Sequence, residues 1–251
     1  MKKFTKILAA IMLMTAVIMT ACTPENDPNN NGNDNGGGNN SGGNGTYNGH
    51  DYVDLGLPSG TLWATCNVGA EKPEDYGDYF AWGETSTKTS YDWSSYKYCN
   101  GENEYGDPKL TKYCHNANYG YDGFSDNLTV LQLDDDAATT RFGSGWCIPT
   151  TEQWQELIDN TTSTWVIQNS VNGRLFSGNN GNSIFLPAAG ARRREALDGV
   201  NEKGYYWASV LCTDDDRPFY GGSLEFEGDN CRVTGYYRFR GQTVRAVRSA
   251  E

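Results

Sequence analysis

Residues 50–70 read HDYVDLGLPSGTLWATCNVGA and contain two strand-like runs separated by a turn. The runs, residues 52–55 and 61–68, are rich in Val, Leu, Tyr, Trp and Thr, which favour strands. Between them, the proline and glycine of Leu57-Pro58-Ser59-Gly60 suit a turn. The stretch therefore predicts an antiparallel pair of strands at the start of a folded domain.

Further strands are predicted along the rest of the chain, at residues 78–84, 165–168, 182–186, 205–211, 222–226, 231–234, 236–240 and 242–247. One helix is predicted to begin at Thr150, because Thr150 and Gln153 match a capping box ahead of an apolar face. A shorter helix is predicted at residues 135–140. No second linker or internal repeat interrupts the sequence, so residues 47–251 are predicted to form one α+β domain built mainly of antiparallel strands.

The first 22 residues have the three parts of a bacterial export signal. Lys2, Lys3 and Lys6 precede an apolar run over residues 7–19, which ends in Met19-Thr20-Ala21-Cys22. This ending resembles a lipobox, so Cys22 is predicted to be lipidated and to anchor the protein to a membrane. The alternatives are an ordinary signal peptide with an incidental cysteine, or a short membrane anchor.

Residues 23–46 are predicted to form a disordered tether. Nine Asn and seven Gly make up most of these 24 residues, and no large apolar side chain occurs among them. Glu25 and Asp27 follow the cysteine and resemble the acidic export signals of surface lipoproteins in the Bacteroidetes. We therefore predict an outer-membrane lipoprotein exposed at the cell surface; the alternative for these acids is plain linker composition.

The charge distribution argues against nucleic-acid binding. The net charge is −12, with 32 acidic and 20 basic side chains, whereas duplex binding requires Lys and Arg to neutralise phosphates. The excess of acids lies before residue 192, because residues 192–251 hold ten acidic and ten basic side chains. The last sixty residues, near neutral and rich in Arg and Tyr, are the predicted location of the ligand site.

Six segments together resemble a known family: residues 50–70, 76–84, 146–152, 180–190, 204–209 and 241–248. In this order they are similar to the Fibrobacter succinogenes major paralogous domain (FISUMP) family of secreted and lipid-anchored bacterial proteins. That family is similar to the C-type-lectin-like superfamily, which includes the formylglycine-generating enzymes. The resemblance implies a C-type-lectin-like fold, with twisted antiparallel β-sheets, one or two short helices and long loops. It implies binding rather than catalysis.

Two positions depart from the family pattern. Cys147 stands where the family usually has a basic residue, and Ala191-Arg192-Arg193-Arg194 follows the preceding strand less typically.

Six cysteines remain in the predicted domain once Cys22 is assigned to lipid. An even number in an exported protein favours disulfides, and the pairs closest in sequence are Cys99–Cys114 and Cys212–Cys231. Buried free thiols are the alternative. No Cys-x2-Cys spacing occurs, so a zinc site is not predicted.

The sequence predicts a protein that is not an enzyme and carries no cofactor. His50 and His115 are its two histidines, and no nucleophile elbow accompanies them. The consecutive acids Asp134–Asp136 fit a helix N-terminus better than an acid/base pair, and a structural calcium ion at Asp214–Asp216 is a weaker hypothesis. A formylglycine-generating-type oxidase or enzyme accessory, with Cys212 and Cys231 as the copper pair, is the enzymatic alternative.

An outward patch near the C-terminus is the predicted ligand site. Strand alternation places Arg232, Tyr236 and Arg238 outward, and Cys231, Val233, Tyr237 and Phe239 inward. The predicted ligand-binding residues are Asp214, Asp215, Asp216, Arg217, Phe219, Tyr220, Asn230, Arg232, Tyr236 and Arg238. Tyr and Arg dominate binding hot spots, and aromatic faces also stack on sugars. We therefore predict an adhesin-like domain that binds an extracellular glycan or protein. The alternatives are a solvated strand face and a structural subunit of a surface assembly.

Overall fold

The computed structural model describes residues 43–213 and 218–250. In these ranges the chain forms fourteen strands and two short α-helices, joined by long irregular loops. The strands are β1 (Gly45–Tyr47), β2 (His50–Asp54), β3 (Thr61–Asn67), β4 (Cys99–Glu102), β5 (Pro108–Leu110), β6 (Thr161–Gln168), β7 (Val171–Gly178), β8 (Ser183–Pro187), β9 (Ala189–Arg193), β10 (Ala196–Val200), β11 (Lys203–Leu211), β12 (Tyr220–Glu227), β13 (Asn230–Tyr237) and β14 (Arg245–Ser249). The helices are α1 (Ala137–Phe142) and α2 (Thr151–Asn160).

The predicted pair of strands at the start of the domain is confirmed. β2 and β3 pair antiparallel, with Tyr52 opposite Ala64 and Val53 opposite Trp63. They belong to a four-stranded sheet in the order β1-β2-β3-β14, so the two ends of the domain lie side by side. The sheet begins at Gly45, two residues before the predicted boundary, because β1 already pairs with β2.

The remaining strands form three more sheets. The largest has the order β10-β9-β11-β12-β13, and β6-β7-β8 and β4-β5 form the other two. All pairings are antiparallel except a single bridge between β9 and β11. The described chain is therefore mostly antiparallel β-structure with two short helices, which agrees with the predicted α+β class.

Four of the predicted strands need correction. Residues 78–84 form a loop whose aromatic side chains are buried on several sides, and only Phe80 makes a bridge, to Gln242. The two strands predicted at 231–234 and 236–240 are a single strand, β13, which runs through Gly235 and ends at Tyr237. The last strand begins at Arg245 and not at residue 242.

Both predicted helices are present. Thr150 and Gln153 form the capping box of α2: the Thr150 side chain accepts from Gln153 N, and Gln153 Oε1 accepts from Thr150 N. Trp154 on α2 is fully buried and packs 4.7 Å from Trp63, measured between ring centroids. The short helix α1 begins two residues later than predicted because Asp136 is its N-cap and accepts from Thr139 N.

The core contains two clusters of buried side chains. One surrounds Trp82, Trp146 and Trp207, and the other surrounds Trp63 and Trp154. A hydrogen bond from Trp154 Nε1 to the carbonyl of Trp207 joins them at 3.2 Å. Large aromatic side chains bury much apolar area each, so a few of them can support a domain with little helix.

The long loops are held by a buried arginine. Residues 84–136 contain only the short β4–β5 hairpin and isolated 3-10 turns, so most of their carbonyl groups have no partner in a sheet. Arg238 is fully buried, and its guanidinium donates to the carbonyls of Lys112, Tyr113 and Pro218 and to the Tyr96 hydroxyl, at 2.9–3.0 Å. It therefore connects three separate loops to the end of β13.

Two further buried arginines also donate hydrogen bonds to backbone carbonyls of other segments. Arg245 on β14 donates to Asn67 Oδ1 and to the carbonyls of Ala64, Thr65 and Phe185, which joins two sheets. Arg174 on β7 donates to the Ser163 hydroxyl and to carbonyls of the β12–β13 turn. Buried polar groups need partners, and these side chains supply several donors each.

The pKa values of Asp135 and Asp136, at the start of α1, are shifted in opposite directions. Burial opposes ionisation of Asp135, but hydrogen bonds from Lys112, Tyr98, Tyr113 and Lys97 outweigh it and lower the pKa to about 2. Burial raises the pKa of Asp136 to about 6 and outweighs the hydrogen bonds from backbone N–H groups and from the Thr139 side chain, which lower it. Asp136 is thus the predicted helix cap, whereas Asp135 links the lysines of the loops.

The Arg238 guanidinium is expected to be essential for stability. Substitution Arg238→Met leaves three buried carbonyls without their donor, so we expect the free energy of unfolding to fall by about 3–5 kcal/mol. The matched control is Arg232→Met, because Arg232 is exposed and pairs with Glu225 at the surface; its effect should be much smaller than that of Arg238→Met. Urea unfolding of both variants measures this, and equal losses would contradict the assigned role of Arg238.

Asp136 is expected to make stability depend on pH. Its pKa is about 6 in the folded chain, against an ordinary value of 3.8. Burial of the charged form therefore costs stability above pH 6, and protonation removes that cost as the pH falls. Relative to Asp136→Asn, the free energy of unfolding of the unchanged protein should rise by up to about 3 kcal/mol between about pH 7 and pH 4. A difference that stays constant in urea unfolding across this range would show that the pKa of Asp136 is the same in the folded and unfolded chain.

Candidate ligand-binding surface

Aromatic side chains gather at the end of β13. We call Trp93, Tyr119, Phe219, Tyr220, Tyr237 and Phe239 the aromatic cluster. Tyr237 stacks between Tyr220 and Phe239, with ring centroids 4.8 and 5.5 Å apart. Trp93 meets Tyr237 and Phe239 edge-on, at 6.0 and 5.0 Å. Tyr237 is 39% exposed, and Trp93, Tyr119 and Tyr220 are half-buried, so the cluster forms part of the surface.

A capped 3-10 turn positions Trp93. The Asp92 carboxylate accepts from Ser95 N and from the hydroxyls of Ser90 and Ser94. These hydrogen bonds, that of Ser94 first, lower the pKa of Asp92 to about 2. An ionised carboxylate and several hydroxyl groups therefore lie beside the half-buried indole. This combination offers an apolar face together with hydrogen-bond acceptors and donors.

A groove lies along the face of β12 and β13 that carries Tyr220 and Tyr237 of the aromatic cluster. Tyr220 and Gly222 lie on that face of β12, as do Val233 and Tyr237 on β13. Gly222 and Val233 line a groove of about 390 Å³, which the N-terminus of α2 borders with Thr151 and Glu152. A volume of this order is in the range of pockets that bind small molecules.

The structure divides the predicted ligand residues between two faces. Tyr220 and Phe219 belong to the aromatic cluster, although Phe219 itself is buried under Trp93 and Tyr119. Arg232 and Tyr236 lie on the opposite face of β13, where Glu225 pairs with Arg232 at 2.7 Å. Asn230 is exposed at the start of the same strand. These residues do not form one patch.

Two predicted orientations are wrong. Arg238, predicted to face outward, is fully buried and bound to loop carbonyls, and Tyr237, predicted to face inward, is the exposed member of the pair. β13 ends at Tyr237, so strand alternation no longer governs Arg238 or Phe239. At this end of the sheet the loops cover the side that holds Arg238 and leave Tyr237 at their edge.

Several predicted positions lie outside the described residues. They are the signal segment with the lipidation site Cys22, nearly all of the tether, and Asp214, Asp215, Asp216 and Arg217, including the hypothetical calcium site. In residues 43–213 and 218–250, no group of three His, Cys, Asp or Glu side chains is arranged to hold a metal ion. No helix in the same ranges is long and apolar enough to cross a membrane.

The predicted disulfides are not formed. Cys99, Cys114 and Cys231 are free thiols. The Cys99 and Cys114 thiols each donate to a carbonyl two residues away, and burial raises the pKa of both.

Geometry separates the other predicted cysteine pair. Cys212 lies beside Gly235, where an added Cβ would be 2.8 Å from the Cβ of Cys212. Cys231 lies four residues away on the same strand, about 13 Å along an extended chain, whereas a disulfide needs Cα atoms within about 7 Å.

Sequence reasoning missed Trp93 and misplaced Tyr237, whereas Phe239 is buried as predicted. A local signal for Trp93 was available, because Asp92 and Ser95 have the spacing of a capping box and fix the turn that carries it. The position of Tyr119 against Phe219 follows only from the packing of distant loops. Neither histidine belongs to the aromatic cluster: His50 stacks on Phe142, at a ring distance of 3.6 Å.

Comparisons with protein-family models, with curated proteins and with solved structures found no match to this chain. The resemblance in sequence therefore stays a prediction, and the case for a function depends on the geometry of the surface.

Proposed function

We propose that this chain is a surface-anchored bacterial lipoprotein whose domain binds an extracellular glycan or protein without catalysis. The observation that carries the proposal is the aromatic cluster, in which Trp93 and Tyr237 are accessible at the end of a rigid sheet. Aromatic side chains at a surface supply large contact area at a low cost in conformational entropy, which is why they dominate binding hot spots.

The groups around the aromatic cluster favour a glycan as the ligand. Asp92 is ionised and can accept hydrogen bonds from sugar hydroxyls, and Ser94 can donate or accept. The groove on the same face of β12 and β13 offers further contact area to a ligand. An apolar surface with a few placed polar groups is the usual composition of a ligand site.

The anchor is proposed from the sequence. Lipidation at Cys22 and a flexible tether over residues 23–46 would hold the domain away from an outer membrane, with a reach of about 25–30 Å. The C-type-lectin-like fold and the FISUMP family are proposed on the same grounds. Mostly antiparallel sheets, two short helices and long loops around the site are consistent with them.

The copper-oxidase alternative is weaker on geometry. It needs Cys212 and Cys231 to bind one metal ion, but Cys212 lies beside Gly235, four residues along β13 from Cys231. Burial also raises the pKa of Cys231 to about 11, which disfavours the thiolate that a metal requires. A structural role in a surface assembly would use the same exposed aromatic residues against a protein partner.

Glycan and protein arrays probed with the purified protein test the proposed binding. We expect specific binding that Tyr237→Ala and Trp93→Ala each weaken at least about tenfold, because both remove accessible rings of the aromatic cluster. Tyr105→Ala is the matched control, since Tyr105 is 81% exposed on the β4–β5 turn, outside the aromatic cluster. Binding that survives both cluster variants, or that Tyr105→Ala also abolishes, would contradict the assignment.

The proposed anchor has a separate test. Cys22→Ser should move the protein from the membrane fraction to the soluble fraction, because lipidation requires the thiol. Protease added to intact cells should degrade the unchanged protein if it faces outward. Membrane association that persists in Cys22→Ser would indicate a different anchor.

A further inference from the structure

The opposite face of the five-stranded sheet carries a small pocket. Its volume is about 210 Å³. Basic side chains outnumber acidic ones in its lining, although the whole domain has an excess of acids. The charged and aromatic side chains around it are Arg193, Asp198, Glu202, Lys203, Tyr205 and Arg240. They come from β9, β10, the turn before β11, β11 and the segment after β13. The pocket therefore combines residues that are distant in sequence.

Arg240 lines this pocket, and its terminal guanidinium nitrogens make no hydrogen bond or ion pair within residues 43–213 and 218–250. Its guanidinium lies 5.4 Å above the Tyr236 ring, and its Nε is buried without a hydrogen-bond partner among the described residues. The buried Arg238 and Arg245, in contrast, donate to several carbonyl oxygens. Because the buried Nε is closed to solvent, an incoming ligand oxygen would meet the accessible terminal nitrogens of Arg240.

Arg193 supplies a second guanidinium without a partner. Its side chain is exposed, and within the part of the chain that the structure describes it makes no ion pair or hydrogen bond. Lys203 differs, because its ammonium already pairs with Glu227 at 2.8 Å. The two arginines are therefore the cations available to an incoming anion, and a planar guanidinium matches the geometry of a carboxylate.

The acids of the pocket restrict the kind of anion that fits. Asp198 and Glu202 would repel a compact, highly charged anion such as phosphate or sulfate, but they can accept hydrogen bonds from hydroxyl groups. The pocket is smaller than those that hold drug-sized molecules, which are about 300–1,000 Å³. A small ligand with one carboxylate and several hydroxyls satisfies both the arginines and the acids.

From this arrangement we propose that the pocket binds an acidic sugar, with its carboxylate on Arg193 and Arg240 and its hydroxyls on Asp198 and Glu202. The inference extends the proposed function by naming a ligand class. It uses a different face of the sheet from the aromatic cluster, so the two sites are tested independently.

Titration calorimetry of the purified protein with glucuronate, glucose and sodium sulfate tests the inference. Glucuronate should bind, and glucose and sulfate should bind at least about tenfold more weakly. Arg193→Gln and Arg240→Gln should each weaken glucuronate binding at least about tenfold. Arg194→Gln is the matched control, because Arg194 is an exposed neighbour that does not line the pocket, and it should bind glucuronate normally.

Three results would overturn the inference: no binding of glucuronate at millimolar concentration, binding of sulfate as tight as that of glucuronate, or unchanged binding in both arginine variants. Arg193 is exposed, so Arg193→Gln keeps the test valid even if Arg240→Gln is unstable. Arg193→Gln and Arg240→Gln are also tested for binding on the glycan and protein arrays. Array binding that persists while glucuronate fails to bind contradicts this inference alone and leaves the proposed function intact.

Discussion

The fully buried guanidinium of Arg238 is the interaction on which the candidate binding surface depends. It donates to the carbonyls of Lys112 and Tyr113 in one loop and of Pro218 just before β12, and it lies against the rings of Trp82 and Tyr96 at 5.1 and 5.2 Å. The backbone of the same residue adds hydrogen bonds to Trp82 and Phe219. Irregular loops can be buried only when their polar groups have partners, and one side chain here satisfies several of them.

This constraint links stability to the candidate site. Tyr237 and Phe239 flank Arg238 in sequence and stack on each other, while Trp93 contacts both rings. Holding the loops through Arg238 therefore also holds the aromatic cluster in one arrangement. A surface that is ordered before binding loses less entropy when a ligand arrives, which favours affinity. Arg240, two residues further on, differs from Arg238, because its Nε is buried without a hydrogen-bond partner among the described residues.

Local patterns predicted several elements correctly. The β2–β3 pair followed from two apolar runs around a Pro-Gly turn, and α2 followed from its capping box and the buried Trp154. Both patterns depend on residues close together in sequence, so they predict the same local element whatever the rest of the chain packs against it. The disulfides failed for the converse reason, since proximity in sequence did not bring Cys212 and Cys231 together.

The sequence by itself determined the charge distribution, the cap residues, the existence of the main strands and the residue types available for binding. Only the tertiary structure decided which of those residues reach the surface. Strand alternation predicted Arg238 outward and Tyr237 inward, but β13 ends there and the loops around Trp82 and Tyr113 cover the arginine. Alternation describes the two sides of a strand, whereas exposure depends on what packs on each side, and distant loops supply that packing.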